Sequence, residues 1–267
     1  QKHLVPIGEK IRSDAVAYIE SAGKRKGSYA TAYGHYSSDL FAQLCRASVE
    51  APDAVYAGFD TFVRMACGNP KNLLVLLGRT YSIASFRGVP LSDMRKMSLE
   101  TQTDGAEQAA RFLFDSDSNF GSPTETAKEA ILRLASLLKA ARFAMNIPEV
   151  SPLTVSFNEA HLSENSRRTL RSTLNWSFVF EIFDGRPDRN RKDQRNRKIQ
   201  LNPLLSPHWS LPTGRRGDLS LPPELANAIF SPNARVEFDQ LLKVTSARWN
   251  QPFKATRGAP IEQTQLF

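Results

Sequence analysis

The stretch Ser163-Glu164-Asn165-Ser166-Arg167-Arg168-Thr169-Leu170-Arg171-Ser172-Thr173-Leu174-Asn175 decides how the rest of this 267-residue sequence is read. Ser163 can cap a helix with its hydroxyl, and Leu170 and Leu174 fall on one side of that helix, four residues apart. Arg167, Arg168 and Arg171 stand at i, i+1 and i+4, so at least two project from one side while the leucines face a core. The spacing predicts an amphipathic helix with a basic face, ending near Asn175.

Upstream, Ser122-Pro123-Thr124-Glu125 is a capping box with Pro at the first helical position. Ile131, Leu134, Leu138, Ala141 and Met145 follow at helical spacing, which predicts a helix from about Pro123 to Met145. After Pro148, the alternation in Leu153-Thr154-Val155-Ser156-Phe157 predicts a short strand. Downstream, Phe178, Phe180 and Ile182 alternate with Val179 and Glu181, and Lys198-Ile199-Gln200-Leu201 offers a second alternating segment. These read as an antiparallel hairpin whose connection, from Asp184-Gly185 to Arg197, is long and almost free of apolar side chains. Helix, basic helix, then a hairpin with a basic tip is the order of a winged-helix domain. A hairpin whose loop is merely solvated is the alternative.

The charge supports the first reading. The sequence has 35 basic and 27 acidic residues, a net charge of +8. Between Asn165 and Gly217 stand twelve basic and four acidic residues, leaving 23 of each sign elsewhere, so this one window carries the whole excess. In a winged helix, Ser166, Arg167, Arg168 and Arg171 would face the major groove of duplex DNA. Arg189, Arg191, Lys192, Arg195, Arg197 and Lys198 would neutralise phosphates from the wing, with Arg215 and Arg216 as a second backbone anchor. A winged-helix protein-interaction module, its arginine wing docked on an acidic partner or on another subunit of a multi-subunit ATP-dependent assembly, is the alternative function. RNA is a third reading, since arginines directed at phosphates do not separate the two polymers.

The N-terminal half reads as bundle helices, one from Asp39 to Val49 and one from Asp53 to Cys67 with Val55, Phe59, Phe62, Val63 and Met65 on its apolar stripe. Gly68-Asn69-Pro70 closes the latter, and Lys71 opens another helix with Leu73, Leu74, Leu76 and Leu77 buried. Lys71 is mismatched with the positive end of that helix, which makes it a candidate phosphate contact. Lys24-Arg25-Lys26 reads as a solvated loop. No P-loop spacing, nucleophile elbow, carboxylate pair or Ser/His/Asp order stands out. The four His residues are scattered and do not pair with Cys45 or Cys67 at metal-ligand spacing. Two cysteines in a chain this long imply a reducing, cytoplasmic setting. The longest apolar runs fall far short of the roughly 20 residues that span a bilayer, which excludes membrane-spanning helices. Trp176, Trp209 and Trp249 read as packing residues rather than stacking platforms for bases.

Met65-Ala66-Cys67-Gly68-Asn69-Pro70-Lys71-Asn72-Leu73-Leu74 resembles the sensor-2 segment in the helical lid of AAA ATPases. Leu201-Asn202-Pro203-Leu204-Leu205-Ser206-Pro207, Leu211-Pro212-Thr213-Gly214-Arg215-Arg216-Gly217 and Ala226-Asn227-Ala228-Ile229-Phe230 resemble the closing part of bacterial proteins similar to origin-recognition AAA ATPases. The resemblance spans about residues 40 to 230. It implies a mainly α fold with a small β-hairpin, a helical AAA-lid-like bundle followed by a winged-helix domain. The expected division is 1–95, 96–249 and a C-terminal tail at 250–267. It further implies that this is the C-terminal portion of a longer ATPase whose core binds ATP and Mg, a degenerate homologue that has lost that core being the alternative, while this chain holds no cofactor of its own. The implied partners are duplex DNA and an ATPase core or further copies of the chain. Lys71 stands where the sensor has Arg, which keeps the charge and loses the bidentate fork.

Overall fold

A computed structural model describes residues 5–34, 55–90, 92, 97–116, 122–144, 153–183, 197–214 and 217–250. The chain separates into two compact units, Gln1–Asp53 and Ala54–Phe267. In the first, α1 (Val5–Glu20) is followed by helical residues 28–34.

The second unit is mostly helical with a small mixed sheet. It opens with α2 (Phe59–Ala66) and α3 (Pro70–Phe86). Between them Cys67 and Gly68 take the left-handed conformation, and the Asn69 side chain accepts the Lys71 N–H at 3.0 Å with Pro70 next to it in the first turn. The junction expected at Gly68-Asn69-Pro70 is thus present, built from a C-terminal reversal and an N-cap back to back. Helix α4 (Leu99–Ser116) packs along α3. Tyr56, Phe62, Met65, Leu76, Ala106 and Ala109 form a core there, into which Leu204 also reaches.

Helix α5 (Ser122–Arg142) follows, then β1 (Thr154–Phe157), a 3-10 turn (Glu159–His161) and α6 (Glu164–Asn175). Strands β2 (Val179–Glu181) and β3 (Arg197–Leu201) come next, with a 3-10 helix (Pro203–Trp209), β4 (Leu219–Ser220), α7 (Pro223–Phe230) and α8 (Arg235–Trp249) after them. The sheet order is β2-β3-β1-β4. Strands β2 and β3 pair antiparallel, β3 pairs antiparallel with β1, and β4 lies parallel to β1. All four residues of β1 are buried, so its alternation marks a strand but not a solvated face. Leu134, Leu138, Phe157, Leu170, Phe178, Ile199 and Phe230 belong to the main core.

The expected boundary near residue 95 falls inside the second unit, between α3 and α4. The end of α3 and the start of α4 lie on either side of it. Tyr56 further ties the parts by donating its hydroxyl to the Leu211 carbonyl at 2.7 Å. Trp249 is buried, and Trp176 and Trp209 pack half-buried against the main core, as packing residues would. The helix expected from Asp39 to Val49 and the tail at 251–267 lie outside the described residues. Among the described residues, no helix is long and apolar enough to cross a membrane.

Candidate nucleic-acid interface

Helix α6 begins as its sequence dictates, with the Ser163 hydroxyl accepting the Ser166 N–H at 3.2 Å. Its buried side is Ser166, Thr169, Leu170 and Thr173. Ser166 was expected to face a groove and does the opposite. Its hydroxyl meets Ser163 Oγ at 2.8 Å and Asn227 Oδ1 at 3.1 Å, where α6 packs on α7. Asn227 also accepts the Ser163 N–H at 2.8 Å and donates to the His161 carbonyl at 2.8 Å, so one amide fixes both the start of α6 and the turn before it.

The solvent side of α6 carries Asn165, Arg168, Arg171 and Asn175, all exposed. Arg168 and Arg171 lie three residues apart and therefore neighbour each other on the surface. Arg168 leans on Glu164 at 3.4 Å, a pair exposed enough to yield readily to a phosphate. Arg167 turns away, donating to the Glu159 and Ala160 carbonyls and pairing with Glu164 at 3.8 Å. Its guanidinium serves the turn rather than the exposed face.

Arg197 and Lys198, expected on the wing, sit in the sheet. Arg197 bridges Glu159 at 2.8 Å and Glu181 at 2.9 Å, with only 15% of its side chain exposed. Lys198 pairs with Asp218 at 3.3 Å. Both belong to β3 and hold it to neighbouring segments, so neither presents an unopposed charge. Arg189, Arg191, Lys192, Arg195, Arg215 and Arg216 lie outside the described residues. Lys71 is exposed on the first turn of α3, and the Asn69 side chain already takes its N–H. One ammonium at a helix start is no nucleotide site in itself. Among the described residues, no three His, Cys, Asp or Glu side chains converge to hold a metal.

Three residues that sequence reasoning missed frame the basic helix. Arg133 on α5 is buried and donates to the carbonyls of Ile229 at 2.9 Å and Ser231 at 2.8 Å, closing the C-terminal end of α7. Burial pulls its guanidinium below its ordinary pKa, with Glu129 and Asp239 opposing. Arg142 donates to the Ser210 carbonyl. Asn227 is the third. Nothing local marks them, because each bonds to a segment more than 60 residues away in sequence.

A family model described as ORC-CDC6-like matches residues 2–221. The chain belongs to the ORC-CDC6-like family. No curated protein and no solved structure matches it. The ORC-CDC6-like match covers α6, the β2 and β3 pair, and the segments at Met65–Leu74, Leu201–Pro207 and Leu211–Gly217 that carried the resemblance. Ala226–Phe230 falls beyond it, in α7. The relationship is therefore to origin-recognition-like AAA ATPases, as the sensor-like and closing segments implied.

Proposed function

We propose that this chain is the DNA-binding portion of an origin-recognition-like ATPase assembly, contacting duplex DNA through the exposed side of α6. The supporting observation is that Arg168 and Arg171 share one solvent face with Asn165 and Asn175, on a helix whose opposite side is fully packed. The order of α5, β1, the 3-10 turn, α6, β2 and β3 supports a winged helix. In that arrangement the segment joining β2 to β3, with Arg189, Arg191, Lys192 and Arg195, rides on phosphates, and Arg215 and Arg216 add a backbone contact. Arginine can read guanine edges and asparagine adenine edges, so this face has the side chains for base contacts as well as for phosphates. In this reading residues 1–95 are the lid-like part and residues 96–249 the DNA-contacting part; within the second unit α3 and α4 share a core. Lys71 would lend one positive charge to a nucleotide phosphate held mainly by an ATPase core.

The test is fluorescence anisotropy with a labelled duplex over a salt series, comparing the chain with Arg168→Glu/Arg171→Glu. With two phosphates no longer neutralised, the log–log salt slope should become shallower by about 1.8 and binding should weaken at least tenfold. Unchanged duplex affinity would remove α6 from the interface.

A second interface is favoured by exposed apolar residues on α2 and α3: Phe59 and Val63, and Leu74, Leu77 and Tyr81 at i, i+3 and i+4 type spacings, where Leu74 and Leu77 were expected to be buried and are not. Another subunit of the ATPase assembly is the occupant this reading assigns to it. Sedimentation at rising concentration, with Leu74→Glu as control, tests it, and a monomer at every concentration would count against it.

A further inference from the structure

In the first unit, Tyr18, Tyr29 and Tyr33 and the basic residues Lys24, Arg25 and Lys26 are not used by the reading above. Helix α1 ends in a double reversal. The Gly23 N–H bonds to the Tyr18 carbonyl at 3.0 Å and the Ala22 N–H to Ile19 at 2.8 Å, with φ of 51° at Ala22 and 76° at Gly23. The Ser21 hydroxyl donates to the Tyr18 carbonyl at 2.8 Å and accepts the Arg25 N–H at 3.0 Å. Lys24, Arg25 and Lys26 thus leave the helix in a set direction and are exposed. Past Gly27, Tyr29 and Tyr33 lie four apart on helical residues 28–34 and meet Tyr18, at centroid separations of 5.6 Å and 5.4 Å. Tyr33 is 50% exposed. Beside this cluster a cavity of about 130 Å³ is lined by Asp14, Tyr18, Arg25, Lys26, Ser28 and Tyr29.

Aromatic faces beside guanidinium and ammonium groups suit a ligand with one flat π-surface and an adjacent phosphate. A carboxylate and a hydroxyl at the same place can bond the polar edge of that flat group. In a duplex the base faces are stacked away, so only an unpaired nucleotide offers a free face together with its phosphate. The cavity is well below the roughly 300 Å³ at which pockets begin to enclose small ligands, so a free nucleotide would gain little there and a strand laid across the surface would gain more. We infer that Arg25, Lys26 and Tyr29, which line the cavity, together with the exposed Tyr33, whose ring stacks on that of Tyr29 at 6.3 Å, bind one unpaired nucleotide of a single-stranded nucleic acid, the base against tyrosine and its phosphates against the basic loop. This is a second nucleic-acid site, on different residues from α6.

The experiment uses the full chain with labelled oligothymidylate and oligouridylate of about 12 nucleotides, and a labelled duplex beside them. Tyr33→Leu should weaken binding to the single strand about tenfold. Arg25→Glu/Lys26→Glu, in an exposed loop, should make its salt slope shallower by about 1.4. Arg168→Glu/Arg171→Glu should leave single-strand binding intact, which separates failure of this site from failure of the duplex reading. Tighter binding of one oligonucleotide than the other identifies the polymer, and either supports the site. Unchanged single-strand affinity in both loop and tyrosine variants, equal losses on the duplex, or competition by free thymidine monophosphate as strong as by the strand would each overturn it.

Discussion

Gly105 on α4 lies directly against Thr80 on α3: a Cβ at position 105 would stand 2.6 Å from the Thr80 Cα and would also strike its Oγ1. The two helices touch backbone to backbone there, a distance only glycine allows. Gly105→Ala gains about 1 kcal/mol of helix propensity but must push the helices apart, an overpacking cost of about 1–3 kcal/mol or more. The net expectation is destabilisation by about 1–2 kcal/mol in urea unfolding. Thr80→Ala should not rescue it, because the obstructing Cα remains.

Arg197 should behave as a structural residue. Its removal leaves Glu159 and Glu181 facing each other without their shared cation, so Arg197→Ala should cost about 2–3 kcal/mol, somewhat under the range for fully buried pairs. Arg197→Lys keeps the charge and loses the two-pronged bridge, for a smaller loss. Duplex affinity of the lysine variant, measured well below its Tm, should match the parent.

Arg133→Met should be among the more damaging single changes. Two charge-assisted hydrogen bonds to the Ile229 and Ser231 carbonyls disappear, leaving a buried and a part-buried acceptor without this partner, for about 3 kcal/mol. Thermal unfolding of Arg133→Met beside the exposed-site variant Arg171→Met checks this. The second should shift Tm little.

Ser163→Ala removes the cap of α6 and should lower stability by about 1 kcal/mol. Duplex binding should weaken far less than in Arg168→Glu/Arg171→Glu. A large drop in binding with intact thermal stability would place Ser163 itself in the interface.

His208 gives a pH dependence. Although His208 is exposed, partial desolvation beside Phe114, 5.4 Å away, and Trp209, 4.7 Å away, pulls its imidazole below the ordinary value, while Asp115 pushes it up and Arg111 down. The unfolded chain therefore binds the proton more readily. This contribution to stability is fully present above about pH 6.5 and falls as the pH drops below it. Tm should fall more between about pH 7.5 and pH 5.5 in the parent than in His208→Gln.

The parts that were legible in the sequence are those governed by near neighbours. The Ser163 cap, the Glu164–Asn175 helix, the two strands of the hairpin and the Asn69-Pro70 start of α3 depend on residues within a few positions of each other. The parts that were not legible depend on distant partners. Ser166 looked available because Asn227, which fixes it inward, lies 61 residues downstream. Arg197 looked like one more cation in a basic run, since Glu159 and Glu181 stand outside that run. Helix α4 gave little signal, because Ala106, Ala109 and Gly105 make its packing face from small residues instead of a stripe of large ones. Of the candidate interface, Arg168 and Arg171 were legible as a basic face, whereas the asparagines completing that face went unremarked.

The sheet has a further consequence. Its longest strand, β3, and the fully buried β1 are interior, leaving β2 with three residues and β4 with two as the described edges. Such short rims give a foreign strand almost no row of unpaired amides to dock on. Copies of this chain brought close together therefore have little exposed sheet edge through which one could template another into an aggregate.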